Sequence, residues 1–401
     1  MKALQLVPAM EEGGVERYLT TLNRILVGGG WDDVVVSCGG RLDGEISADG
    51  GRTAALDLRS KNPLTAPLRA WRLRRLILEE KPDVVVAHSR VPAWLFLLAR
   101  SLDRILDLRR SIEAIARHGV PRPRSSAIAS TFNLRCSTFL TYAHGANSVN
   151  GYSKVMTAGE IVMCPSRFLR DYLKRAYSVP DDRFRVIPHA VDFSRFDPQS
   201  LDSSFIAGKR AEWSIGRGDL VVMCVGRITP VKGIDNLIEE IAASRLPEET
   251  PVKLVVVGAA EKKHEGYFRE LRDESERAVG RFPGRAFSVV FAGAQAKIAE
   301  CLSIADVVVS ANVSKPESFG LAMAEALAMG KPVVAKGFGG ALDIVRDGVN
   351  GVLCDRGGFA AAIEKARKLP TAEIRDDARR RFDYGLMTSE TLSVYKAVTK
   401  R

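Results

Sequence analysis

Short, continuously apolar runs alternate with longer amphipathic stretches along nearly the whole chain, in two successive series. The first contains Ala3-Leu4-Gln5-Leu6-Val7, Val34-Val35-Val36, Asp83-Val84-Val85-Val86, Phe139-Leu140, Glu160-Ile161-Val162-Met163 and Arg185-Val186-Ile187. The second contains Leu220 to Val225, Lys253 to Val257, Phe287 to Phe291, Asp306 to Val309, Pro332-Val333-Val334 and Gly351-Val352-Leu353. Stretches with helical spacing lie between them, among them Gly14 to Val27, Leu68 to Glu80 and Ile234 to Ala242. Strands that alternate with helices form βαβ units and a parallel sheet. Strands of such a sheet are covered on both faces, so they read as unbroken apolar runs. Between the series, residues 193–218 are polar and irregular, with Asp197-Pro198 and Gly216-Arg217-Gly218. The sequence therefore predicts an α/β protein of two doubly wound, Rossmann-like domains, 1–193 and 194–383, with a final helix over 384–401.

The chain length of 401 residues suits two such domains. With 46% hydrophobic and 27% charged residues, disorder, collagen and coiled coil are excluded as the main state. No apolar run reaches the roughly 18 residues that a membrane-spanning helix needs. The opening strand starts almost at Met1 and leaves no room for a signal peptide, so a cytoplasmic location is expected. Six cysteines stand singly with no C-x-x-C pair, which predicts buried thiols rather than disulfides or a zinc site.

Charge is uneven. Residues 1–200 carry 29 Lys and Arg against 21 Asp and Glu, so +8 of the total +11. Such a half suits an anionic partner, or is a bias without function. Residues 100–136 hold no strand of their own and read as a helix plus a mobile loop. Within them, 100–124 contain seven Arg and three acidic residues beside a row of Leu102, Ile105, Leu106, Ile112 and Ile115. That combination fits the surface of an anionic membrane, or a helix packed on the domain with its arginines solvated. No basic stripe with interleaved aromatics is present, so nucleic acid is not an expected partner.

Three segments could carry chemistry. Gly13-Gly14 lies between the first strand and a helix, where the backbone can approach an anion, though a simple turn reads the same way. There is no G-x-G-x-x-G, which argues against a nicotinamide enzyme. Gly226-Arg227 ends one strand and Lys232-Gly233 follows; two cations there could hold a diphosphate, or be a solvated loop. Pro316-Glu317-Ser318-Phe319-Gly320-Leu321 leads into a helix containing Glu325, which would place free amides and carboxylates beside a polyhydroxyl ligand. Otherwise Glu317 merely complements a helix dipole and Glu325 is solvated.

The order Gly-Gly, G-R-x4-K-G and E-x7-E within P-E-S-F-G-L-A-M-A-E resembles the retaining glycosyltransferases of family 4, which have the GT-B fold. Gly330 to Ala335, Asp343 to Gly351 and Arg185 to Asp192 are similar to that family as well. The resemblance spans nearly the whole chain and is weakest over 100–136. One departure is Ser310-Ala311-Asn312, where the family commonly has Pro-Ser; it bears on loop shape. The resemblance implies two Rossmann-like domains facing a central cleft, the final helix returning to the first domain, and a hexosyl- or heptosyl-type transferase. It implies diphosphate binding by Arg227 and Lys232, ribose binding by Glu325 and donor-sugar binding by Glu317. Ser318, Phe319, Gly320 and Leu321 would line the donor, Gly13 and Gly14 would underlie the pyrophosphate, and the base would lie near Gly258 and 293–298. His144, after the run 137–140, would contact donor sugar and acceptor. With Glu317, Arg227 and Lys232 it completes the catalytic set. His88, Arg90 and Asn147 would line the acceptor side. His189 is expected to be structural, and His118 and His264 to be at the surface.

The expected reaction is metal-independent transfer, with retention, from a nucleotide-sugar such as a UDP-sugar to a glycan or glycolipid of the bacterial cell surface, lipopolysaccharide being the leading case. The enzyme would need no cofactor and would work at the inner face of the cytoplasmic membrane. The alternatives are a GT-B sugar-nucleotide epimerase or phosphorylase and, further off, a basic nucleic-acid-binding protein.

Overall fold

The computed structural model describes all residues except 12, 119–133, 135, 136, 245, 247–249, 283–285, 313, 356, 400 and 401, and the side chains of 107–118. The chain divides into two compact units. One comprises Met1–Pro165, Leu169–Ile187 and Thr388–Arg401; the other comprises Ser166–Phe168 and Pro188–Met387. The division thus falls at Ile187/Pro188, not at 193/194, because Val191, Phe193 and Phe196 pack with Trp213 and Phe382 in the core of the second unit.

The first unit is built on a seven-stranded parallel sheet: β1 Lys2–Leu6, β2 Asp32–Ser37, β3 Arg52–Ala55, β4 Val84–Ala87, β5 Thr138–Tyr142, β6 Ile161–Cys164 and β7 Phe184–Val186. Its order is β3-β2-β1-β4-β5-β6-β7. The Val-rich strands are buried because helices cover both faces. Helix Gly14–Gly28 buries Tyr18, Leu19, Leu22, Ile25 and Leu26, one stripe at helical spacing. β3 escaped the sequence reading: Arg-Thr-Ala-Ala is short, mostly exposed and pairs only with β2 at the sheet edge.

The second unit has six parallel strands: β8 Leu220–Val225, β9 Val252–Val257, β10 Phe287–Gly293, β11 Val307–Ser310, β12 Val333–Lys336 and β13 Gly351–Cys354. The order is β10-β9-β8-β11-β12-β13. In each sheet the strand order reverses direction once, between β1 and β4 and between β8 and β11. At such a switch point the two flanking connections leave on opposite faces and open a crevice outside the carboxyl ends, where doubly wound sheets bind ligands.

Two expectations need correction. Cys38 is exposed and Cys354 half-buried, while Cys164, Cys224 and Cys301 are buried thiols; Cys136 lies outside the described residues. The helix expected within 100–124 begins earlier, as Arg90–His118. Leu102 packs against the core of the first unit, whereas Ile105 is exposed, so the apolar row does not form one free face. Nearby, Arg74 and Asp103 form a buried ion pair at 2.8 Å, which fixes the helix on its neighbour. Residues 119–124 lie outside the description, as do the side chains of Ile112 and Ile115. Among the described residues no helix is long and apolar enough to cross a membrane.

Candidate active site

At the switch point of the first sheet, Gly13 caps helix Gly14–Gly28 with extended backbone, φ −178°. A Cβ at Gly14 would meet no atom within 4 Å, so packing does not account for this glycine. The atoms nearest a Cβ at Gly13 would be those of the flexible carboxylate of Glu16.

His88 follows β4 directly and is 2% exposed. It does not line an open acceptor surface, as the sequence suggested. Its Nε2 lies 2.9 Å from Gln5 Oε1 and its Nδ1 lies 3.1 Å from His144 Nε2. Burial lowers its pKa to about 3, so the ring is neutral. His144, just beyond β5, is half-buried. Its ring stacks 4.4 Å from Tyr142 and meets Tyr18 edge-on at 5.0 Å. Both ring nitrogens turn inward, Nε2 to His88 and Nδ1 shielded from solvent. Arg90 opens the long helix; it donates to Ser153 Oγ at 3.2 Å and lies 5.3 Å over the Tyr152 ring. Asn147 shapes the loop after β5, donating to Gly145 O at 3.3 Å and accepting from the Tyr172 hydroxyl.

At the switch point of the second sheet, Gly226 directly follows β8 and Gly258 directly follows β9, with φ of 147° and 149°, values that L side chains rarely adopt. The two loop starts run side by side. Gly226 N–H donates to Val257 O at 2.9 Å, and Gly258 N–H to Gly293 O at 2.8 Å. A Cβ on Gly258 would lie 1.9 Å from Gly226 O. Gly258, expected beside a base, is required by backbone packing.

Past β8, Arg227 is exposed and donates to Glu261 Oε1 at 2.6 Å. Glu261 also pairs with Lys263; these two cations hold its carboxyl down to about 2. Lys232 ends a short 3-10 turn and pairs with Glu317, each about one quarter exposed. Lys232 leaves the β8 side and Glu317 the β11 side, so their ion pair spans the switch point. The sequence placed these residues against different parts of a donor; the structure brings them together.

Glu317 lies on the loop 311–320 and Glu325 within helix Leu321–Ala328, half-buried, as the spacing implied. Asn312 shapes this loop from inside, donating to Lys315 O at 3.2 Å. The cap of the helix is Gly320 in the left-handed region, φ 108°. Phe319 is core, not surface, with its ring 5.1 Å from His189 and 5.8 Å from Phe382. The main-chain oxygen of Ser318 accepts from the Ser166 hydroxyl. Burial lowers the His189 pKa to about 4. His264 is half-buried at the start of helix Glu265–Arg281, and the His118 side chain is outside the described residues.

Sequence reasoning missed three supports. Gly340 N–H donates to Glu317 O at 2.7 Å, and side chains at Gly339 or Gly340 would strike Pro316 or Phe319 O at 2.2 and 2.6 Å. This glycine pair after β12 cradles the Glu317 loop. The second is Glu261. The third is Gln5, whose signal was visible: a polar residue amid the apolar run of β1. Among the described residues no group of His, Cys, Asp and Glu is arranged to hold a metal ion.

Two Rossmann-like units, each built on a doubly wound parallel sheet with one switch point, are the architecture of the GT-B class of folds. Residues 12–195 match the family described as Glycosyltransferase Family 4, and residues 206–384 match Glycosyl transferases group 1. A D-inositol 3-phosphate glycosyltransferase of Xylanimonas cellulosilytica is 32% identical over 262 residues, 63% of this chain and 60% of that relative. The chain thus spans less than two thirds of that relative's length. A glycosyltransferase from Rickettsia africae superposes with a TM-score of 0.79 at 22% identity, covering 100% of this chain and 99% of that one. Anabaena HepE in complex with UDP and glucose superposes with a TM-score of 0.77 at 19% identity, covering 99% of each. The chain belongs to glycosyltransferase family 4, with the GT-B fold.

Proposed function

We propose that this protein is a metal-independent, retaining glycosyltransferase whose donor is a nucleotide-sugar. The observation that carries the reading is the Lys232–Glu317 pair across the β8/β11 switch point, beside the helix that bears Glu325. A cation and two carboxylates there suit a diphosphate flanked by two sugars. On binding, the diphosphate would take over Lys232 from Glu317 and Arg227 from Glu261. Glu317 would then accept from donor-sugar hydroxyls and Glu325 from the ribose. The bond from C1 to the leaving phosphate oxygen breaks. The acceptor oxygen bonds to C1 on the same face, and its proton passes to the departing phosphate. Arg227 and Lys232 stabilise the charge that develops on the diphosphate.

Donor choice is tested with UDP-, GDP- and ADP-sugars, scored by thermal shift and slow donor hydrolysis. The reading predicts that one series raises the melting temperature with concentration, because a ligand of the native state stabilises it by mass action. HepE, solved with UDP and glucose, favours the UDP series. No shift and no hydrolysis with any of the three would sink the proposal.

The acceptor we propose is a glycan or glycolipid of the cell surface, with lipopolysaccharide the leading case, reached at an anionic membrane. The support is the basic excess of 1–200 and of 100–124. Flotation with anionic liposomes should show binding that falls with salt, since screening acts over about 10 Å at 0.1 M. Changing Arg109, Arg110 and Arg117 together to Ser should weaken it. Indifference to anionic vesicles at low salt would point to a soluble acceptor instead.

A further inference from the structure

Gln5, His88 and His144 stand at the carboxyl ends of three adjacent strands, β1, β4 and β5. They form one hydrogen-bonded chain from Gln5 Oε1 to His88 Nε2 at 2.9 Å and from His88 Nδ1 to His144 Nε2 at 3.1 Å. The direction of every bond follows from the Gln5 end. The Gln5 amide nitrogen lies 2.9 Å from Asp33 Oδ1 and 3.2 Å from the hydroxyl of Tyr395, which enters from the C-terminal helix. An amide nitrogen only donates, and a carboxyl oxygen accepts from it whether or not the other oxygen carries a proton. With the nitrogen on Asp33, Oε1 faces His88 and also lies 3.4 Å from the Tyr395 hydroxyl.

An oxygen facing His88 Nε2 accepts, so that nitrogen carries the proton. A neutral imidazole then has a bare lone pair on Nδ1, and the polar group opposite it among the described residues is His144 Nε2, which must donate. We propose that Gln5 and His88 are positioning residues that hold His144 as its neutral Nε2–H tautomer. Tyr142 and Tyr18 keep the ring from turning, and Tyr142 is itself tied by its hydroxyl to Ile187 O at 2.8 Å. His144 Nε2 is thereby engaged with His88 and gives up no proton to a substrate. The tautomer assignment stands on this geometry together with the neutral state that burial imposes on His88; its effect on turnover rests on the proposed transferase reading.

The test is a long-range 1H–15N correlation of the histidine rings in the uniformly labelled full-length chain at neutral pH. His88 and His144 should both show protonated Nε2 and unprotonated Nδ1, assigned by their loss in His88→Asn and His144→Gln. In His88→Leu, His144 should relax to a mixture of tautomers. Donor hydrolysis should then lose about tenfold in kcat with KM nearly unchanged, as when an outer-shell partner of a site ring is removed. His88→Asn places an acceptor where Nδ1 was and should recover most of that loss. If His88→Leu does not fold, Gln5→Met probes the same chain from its far end and should mix the tautomers of both rings. An Nδ1–H tautomer or an imidazolium at His144 in the unchanged chain overturns the proposal. So does a His144 ring unaltered by both substitutions. A wild-type chain that turns over no nucleotide-sugar refutes the transferase reading while leaving the tautomer result standing.

Discussion

Gly226 and Gly258 touch through main chain alone. A Cβ on Gly258 would sit 1.9 Å from Gly226 O, and both residues hold φ near +150° where a side chain is strained. These glycines let β8 and β9 release their loops side by side, which sets the start of the segment carrying Arg227 and Lys232. Gly258→Ala combines backbone strain with a clash against a rigid carbonyl. We expect a loss of stability on the order of 3 kcal/mol or more, read by urea unfolding. Gly14→Ala is the contrast. It meets nothing and lies at the start of a helix, so the fold should change by less than about 1 kcal/mol. Nucleotide-sugar affinity should nonetheless fall if Gly14 underlies the pyrophosphate.

Lys232→Ala and Glu325→Ala should each weaken nucleotide-sugar binding while the fold persists. Loss of a charge-assisted hydrogen bond to the ligand is worth roughly 1.5–3 kcal/mol, or about 10- to 150-fold in Kd. Calorimetry measures it, and unchanged affinity in both variants would remove these residues from the site. Lys232→Ala also leaves Glu317 without its partner, so Lys232→Ala with Glu317→Gln should unfold at a higher temperature than Lys232→Ala alone.

Turnover should survive EDTA. The positive field for the leaving diphosphate is assigned to Arg227, Lys232 and main-chain amides, and the sequence has no D-x-D triplet to hold a divalent ion. Activity lost in EDTA and restored by magnesium or manganese would overturn that assignment.

The sheets were legible because their strands are buried on both faces, and the sequence of β8, Leu-Val-Val-Met-Cys-Val, permits little else. β3 was not, because an exposed edge strand needs no apolar run. The Glu317 loop and Glu325 helix were legible from local spacing. Gly339 and Gly340, which cradle that loop, stand some twenty residues further on, and nothing local in a Gly-Gly pair says which backbone it packs against. The ion pairs Arg227–Glu261 and Lys232–Glu317 join residues 34 and 85 positions apart, a relation that exists only once the strand order is known. His88 misled for a related reason: a polar residue at a strand end can face the crevice or turn inward, and Gln5 on the adjacent strand decides for inward.

The same inward cluster makes stability depend on pH through Asp33. This residue is 1% exposed, its Oδ1 accepts from Gln5, and its Oδ2 is buried without a hydrogen-bond partner among the described residues. Burial raises its pKa to about 7, against an ordinary 3.8 in the unfolded chain. The folded state therefore keeps a proton that the unfolded state has released. Stability is unaffected below about pH 4, where both states are protonated, and falls as pH rises towards 7. A shift of this size corresponds to a penalty of up to about 4 kcal/mol above that range. Asp33→Asn keeps an oxygen for the Gln5 amide and cannot ionise. Urea unfolding at pH 5 and pH 8 should show wild type losing stability between the two relative to Asp33→Asn, with the variant the more stable at pH 8 by about 2–4 kcal/mol. Curves that stay parallel between the two pH values would mean that Asp33 is solvated, and that the carboxyl under the Gln5 amide is charged at all working pH.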